Sequence, residues 1–254
     1  MTGAAGTTGA AGKTGTAGTT GMAGTSGMAG TTGMAGTTGT GGTGGVMPDP
    51  RCAPLDGIVS WWHGDGDFDD AVGANDGTNG GMASFAPGVN DQGFSLNMMP
   101  GSFVDVPNDP SLQMTSAITI DAWISSPALN GRIVDKITAF SSDGYMMDMA
   151  GDRLRLYVGG DFIMSADPVP TGTFTHVTGV YNGTTLAVYV NGALSAQNAT
   201  WATSIPVNAR SLRIGADSDG SSLFNGVIDE PRVFNRALSA AEVDQLFWQG
   251  TNCP

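Results

Sequence analysis

From residue 94 onward, apolar residues arrive in short runs separated by turn residues. The runs fall at 103–106, 118–124, 133–137, 145–149, 154–158, 162–164, 174–181 and 186–190. Each has strand length and none has a helical pattern beside it, which predicts an all-β sandwich. Asn182-Gly183 and Asn191-Gly192 sit between alternating runs. Both dipeptides accept the backbone of a tight hairpin turn, so they predict antiparallel neighbours with one face in the core and one wet. Residues 227–234 mix β-branched and aromatic side chains with acidic and basic ones, the composition of a sheet edge with one wet face. The period then changes. Ser239 is followed three residues later by Glu242, and Ala240, Ala241, Val243 and Leu246 continue with helical spacing, which predicts a capped helix at the end of the domain.

None of this patterning precedes residue 46. From Gly3 to Gly45 a glycine falls at every third position, with Thr, Ala and Met between and Lys13 as the tract's one charged side chain. A strict Gly-x-y period is that of collagen, where only glycine fits the crowded axis. The tract lacks the proline that pre-organises such a helix. Two readings therefore stand, a flexible stalk, which the missing proline favours, and a trimeric collagen-like stalk. The proline-rich residues 46–54 read as a hinge that cannot be a central strand. The folded domain is then 55–254.

The formal net charge is -13. A chain so acidic gains nothing from nucleic acid or from an anionic membrane surface. No stretch is long and apolar enough to span a bilayer, and no apolar h-region follows Met1. Cys52 and Cys253 bracket the folded part without a C-x-x-C pattern. A structural disulfide is the natural reading, with two free thiols as the alternative, and it places the domain in an oxidising setting, secreted or at a cell surface. The acidic residues are nearly all Asp, with Glu230 and Glu242 the two glutamates. A glycosidase built on a Glu pair is hard to assemble from these.

Residues 226–243, GVIDEPRVFNRALSAAEV, are similar to the closing signature of LamG-type, concanavalin A-like domains, with Pro231 where that family carries a β-branched residue. GIVSWWHGDG at 57–66, AITIDAWI at 117–124, DRLRLYVGG at 152–160, THVTGVYNGTTLAVYVNG at 175–192 and LRIGAD at 212–217 follow the family's order. The resemblance implies a concanavalin A-like jelly-roll sandwich of two antiparallel sheets with a short C-terminal helix, in which the first and last strands are neighbours and His176 is structural. It leaves function open, because this fold hosts lectins, adhesion modules, enzyme accessory domains and some glycanases.

Three kinds of chemistry have candidate residues. In the Gly/Asp/Asn loop, Asp65, Asp67 and Asp69 alternate and Asn75 and Asp76 follow. An EF-hand is excluded, since Asp70 stands where that loop needs glycine and no helix follows. The residue types still suit a hard cation, and the implied closeness of first and last strands adds Asp229. The expectation is a structural Ca2+ held by these six, against the alternative that they make Asx-turns and accept backbone N–H groups. For sugar stacking, Trp201 in a polar loop leads, with Tyr145 and Phe162 behind it. Trp61 and Trp62 must face opposite ways on a strand, and Trp123 and Tyr189 read as core. Catalysis has little support: His63 and His176 are the only histidines, and no H-E-x-x-H, G-x-S-x-G or E-x-D-x-x-E occurs. Glu230 reads as an ion-pair partner of Arg232 on the wet face.

The chain therefore reads as a non-catalytic module that binds a glycan or an extracellular protein, with a monomeric head and a stalk open to trimerisation. The alternatives are an accessory or divergent catalytic domain of a glycan-degrading enzyme, and the structural head of a trimeric fibre.

Overall fold

The computed structural model describes residues 49–127 and 130–253. The Gly-x-y tract and residues 46–48 of the hinge lie outside the described residues. In chain order the strands are β1 (Ile58–Trp61), β2 (Thr78–Asn79), β3 (Ser84–Pro87), β4 (Gln92–Leu96), β5 (Val104–Val106), β6 (Ile118–Ser125), β7 (Gly131–Lys136) and β8 (Tyr145–Ala150). They continue as β9 (Arg153–Val158), β10 (Asp161–Met164), β11 (Thr175–Tyr181), β12 (Thr185–Val190), β13 (Ala193–Ala199), β14 (Leu212–Ile214) and β15 (Gly226–Phe234), followed by helix α1 (Ala240–Asn252).

Two antiparallel sheets form a jelly-roll sandwich. One holds eight strands in the order β13-β12-β11-β6-β15-β4-β3, with β1 also paired to β15; the other holds seven, β10-β9-β8-β7-β14-β5-β2. The hairpin dipeptides act as their chemistry dictates. Asn182-Gly183 joins β11 to β12 and Asn191-Gly192 joins β12 to β13, with Asn191 at φ 51° and both glycines at positive φ. Alternation then sorts the side chains. Ile118, Ile120 and Ile124 of β6 share one core with Met147 of β8 and Leu154 and Leu156 of β9. Trp62 faces that core and Trp61 the outer side, as adjacent strand residues must.

The expected wet edge at 227–234 is a correction. β15 is a central strand, paired with β6 on one side and with β4 and β1 on the other, and Glu230 and Arg232 are buried. Its composition resembles an edge because its outer face is covered by other parts of the chain rather than by water. A bulge between Asp229 and Arg232 shifts its register against β6, with Glu230 at φ 56°. Pro231 suits that place, since a bulge residue has no ladder hydrogen bond to lose.

Helix α1 provides the cover. Ser239 and Glu242 form the capping box the sequence predicts, and Leu238, Val243 and Leu246 pack with Val180, Tyr189 and Phe234 in a second apolar cluster on the outer side of the eight-stranded sheet. Gly250 lies so close to the Trp123 indole that a Cβ there would overlap the ring. Just past the helix, Cys253 forms a disulfide with Cys52, 201 residues earlier in the chain.

Candidate ligand-binding face

The outer face of the seven-stranded sheet carries two cross-strand rows. One runs Asp135, Met146, Tyr157, Phe162 across β7 to β10; the next runs Arg132, Asp148, Arg155, Met164. Neither row is continuous in sequence, and register alone assembles them. The loops at 138–144 and 217–222 meet where the Ala139 N–H donates to Ser218 Oγ at 2.9 Å, and the Tyr157 hydroxyl donates to the Ser141 carbonyl at 3.2 Å. Asp135 and Met146 are buried in that part of the face.

The second row remains open. Arg132, Asp148, Met149 and Arg155 line a groove of about 550 Å³, with Met98 and Leu223 among its other walls. Arg132 spreads its guanidinium over three carboxylates: Nε is 3.0 Å from Asp135, Nη1 reaches Asp148 and Nη2 is 2.7 Å from Asp217. Arg155 grips Asp148 with Nε at 2.9 Å and Nη2 at 2.7 Å. Its guanidinium lies 5.9 Å from the ring centre of Phe162, which is 51% exposed. Three carboxylates around one guanidinium cannot all ionise cheaply when buried. Burial first and the Asp217 charge second push Asp135 up to about 8, in spite of Arg132 beside it.

The outer face of the other sheet holds a comparable set of charges and is closed. Asp121 lies 2.8 Å from His176 Nε2, accepts from Thr178 Oγ1 at 2.6 Å and stands 3.8 Å from Arg232. Burial would raise the Asp121 carboxyl, but His176, Arg232 and Thr178 outweigh it and hold it below its ordinary value. Arg232 continues to Glu230 at 2.7 Å, which also meets the Trp61 indole N–H and, at 2.9 Å, His63 Nδ1. Burial pushes Glu230 up, but its partners His63 and Arg232 win and leave it lowered. A small cavity of about 160 Å³ opens here between Trp61, His63, Glu230 and the Cys52–Cys253 disulfide.

The family model described as concanavalin A-like lectin/glucanases superfamily matches residues 100–244. The chain belongs to the concanavalin A-like lectin/glucanases superfamily. No curated protein sequence matches it. Among solved structures, this concanavalin A-like domain is similar to the binding domain of Paraclostridial Mosquitocidal Protein 1, at 16% identity and a TM-score of 0.62 over 76% of this chain and 52% of that one. It is also similar to domain 4 of AbnA, an extracellular arabinanase from Geobacillus stearothermophilus solved with arabinotriose, at 19% identity and a TM-score of 0.60 over 74% of this chain and 97% of that one. A botulinum neurotoxin type C structure, whose cell entry depends on two ganglioside molecules, matches at 14% identity and a TM-score of 0.59 over 77% and 51%. The chain thus spans about half the length of the two toxin structures. At such identities these likenesses show the shared fold.

Within the concanavalin A-like domain the residues expected at a sugar site separate. Phe162 lies outside the groove's lining, next to Arg155 on the same sheet face. Trp201, 67% exposed, sits at the tip of the β9–β10 hairpin, its ring against Gly160 and its backbone N–H on Asp161. Tyr145 is a correction: it is buried in the core and its hydroxyl donates to the Leu112 carbonyl, because β8 turns its odd-numbered residues inward. Arg132, Asp148 and Arg155 are the residues that sequence reasoning missed. The signal was charge set into otherwise apolar strand runs, at GRIVDK, YMMDMA and RLRLYV.

The six residues expected to hold calcium do not form one centre. Asp65 and Asp229 come together at the turn before β4, where the Gln92 N–H donates to Asp65 and those of Val89 and Asn90 donate to Asp229. Asp67 caps the Asp69 N–H in an exposed turn. Asp76 accepts from the Asp70 N–H, and buried Asn75 donates to Ser60 and Ser111. Among the described residues no group of three or more His, Cys, Asp or Glu side chains gathers as a metal site. Asp229 Oδ1 is buried without a hydrogen-bond partner. Burial, with smaller contributions from the nearby Glu230 and Asp65 charges, pushes that carboxyl up to about 7.

Proposed function

We propose that this domain is a non-catalytic, secreted or surface-displayed glycan-binding module, and that its site is the open face of the seven-stranded sheet. One observation carries the reading: the Arg132–Asp148–Arg155 row lines a groove of about 550 Å³, and on the same sheet face Arg155 neighbours the half-exposed ring of Phe162. Sugars present hydroxyls that need planar polar partners and C–H faces that pack on rings, and this face supplies both. The arabinotriose bound by the arabinanase domain and the gangliosides needed by the type C toxin support a saccharide as ligand. The disulfide suits an oxidising destination.

The carboxylates support binding rather than hydrolysis. Glu242 is spent in the capping box and lowered to about 2, chiefly by Arg236. Glu230 is locked between His63, Trp61 and Arg232, and Asp148 is held between two arginines as an acceptor. Asp135 holds its proton but is buried away from the groove. A hydrolase needs two opposed carboxyl groups free to exchange protons with a substrate.

Binding of the full chain to immobilised oligosaccharides tests the assignment. Phe162→Ala and Arg155→Gln should each weaken the best ligand about tenfold or more, since each removes one half of the stacking-plus-polar pair. Unchanged affinity in both would sink it. The same reading takes calcium as a structural ion at Asp65 and Asp229, where the unpartnered Oδ1 is the supporting feature. A melting temperature identical in calcium and in chelator would remove the ion from the account.

A further inference from the structure

We infer that the groove selects neutral oligosaccharides and rejects their acidic counterparts, with Asp217 and Asp148 as the residues that set this selectivity. The inference rests on the glycan-binding reading above. It follows from where the guanidinium donors already point. Arg132 commits Nη1 and Nη2 to Asp148 and Asp217, and its Nε stands 3.0 Å from Asp135. Arg155 commits Nε and Nη2 to Asp148, while its Nη1 makes no hydrogen bond among the described residues. The bidentate edge with which an arginine recognises a carboxylate or sulfate is thus occupied in both residues.

An acidic sugar would have to displace Asp148 or Asp217 from its arginine. That step strands a carboxylate that is almost fully buried, since Asp148 is 4% and Asp217 5% exposed, and an unpaired buried charge is strongly unfavourable. The surroundings offer no compensation, because the chain carries a net charge of -13. A neutral sugar meets a different surface. Its hydroxyls can accept from Arg155 Nη1 at the groove wall while both carboxylates stay paired with their arginines. Its C–H faces find Met98 and Leu223 at the same opening, with the exposed Phe162 ring beyond Arg155. The groove's size falls in the range that encloses a small ligand and leaves room for more than one ring.

Two variants and one titration test this. The full chain is measured against arabinotriose, cellotetraose and lacto-N-tetraose, each beside an acidic counterpart that carries a sialyl, uronic or sulfate group. The neutral member of the best pair should bind at least about tenfold more tightly than the acidic one. Its affinity should move less than about twofold when salt rises from about 0.05 to 0.5 M, since no net charge is neutralised on binding. Asp217→Ala removes the acceptor from Arg132 Nη2 and should narrow the neutral-over-acidic ratio about tenfold, whereas Arg155→Gln should weaken neutral binding without improving acidic binding. Thermal melting of both variants confirms that they are folded. An acidic ligand that binds more tightly than its neutral partner, or a steep salt dependence, overturns the selectivity while leaving the glycan-binding site standing. Absence of binding to every saccharide instead removes the underlying reading and the selectivity with it.

Discussion

On the eight-stranded sheet, the outward charges of β6, β11 and β15 lie beneath α1 and the segment tied down by Cys52; on the seven-stranded sheet, those of β7, β8 and β9 line a groove. The chemical content is alike, arginines shared among carboxylates on a sheet surface. What differs is the cover. On the closed side Asp121, His176, Glu230 and Arg232 lie within ion-pair distance of one another, with Glu230 reaching half-exposed His63 at the rim. That network ties the last strand to β6, and β6 in turn to β11. The open side keeps a charged row in reach of a ligand. A cluster of paired charges is therefore not a site by virtue of its residues; the covering element decides.

The comparison is broken most severely by opening the clasp. Replacing Cys52 and Cys253 with serine removes a 201-residue loop closure, a loss of about 5 kcal/mol on the chain-entropy account and a fall in Tm of roughly 10–20 °C. Glycan affinity well below the new Tm should stay within about twofold, since the open face lies on the other sheet. A large loss of binding in that folded variant would mean the two faces are coupled. Gly250→Ala should cost about 1–3 kcal/mol, because its methyl group enters the Trp123 ring, and calorimetry should again find binding unchanged. Phe162→Ala reverses the pattern: affinity falls about tenfold while stability moves by less than about 1 kcal/mol, the behaviour of a half-exposed ring that serves a ligand.

The smallest effect concerns pH. Asp135 titrates at about 8 in the folded protein, above its ordinary value. Its contribution to stability is fully present below about pH 4 and is lost as pH rises through about 8. Asp135→Asn should therefore melt close to the parent at pH 5 and a few degrees higher at pH 9. Equal melting temperatures at both pH values would show that Asp135 is ionised throughout, held by Arg132.

Much of the fold was legible in the sequence because it rests on local chemistry. The Asn-Gly turns, the capping box and the alternation of β6 and β9 each name their own structure. β15 was misread for a physical reason: a strand whose polar side faces water and one whose polar side is sealed under a helix have the same composition. The site was harder. Arg132, Asp148 and Arg155 meet only through strand register, and nothing in GRIVDK announces that its arginine will share an aspartate with RLRLYV. Tyr145 and Phe162 look equivalent as aromatic residues near turns, yet strand parity sends one into the core and the other to the surface. The Asp-rich loop was legible as a set of oxygens, but several of those oxygens are taken up by the loop's own backbone.

The central claim is that the uncovered sheet face binds saccharide, and backbone amide shift mapping by NMR tests it directly. On titration with the tightest neutral oligosaccharide, the perturbed amides should be those of Arg132, Asp148, Arg155 and Phe162 and their strand neighbours. Perturbations confined to Trp61, His63 and Asn90, or to the Trp201 loop, with Arg155 unmoved, would contradict the account.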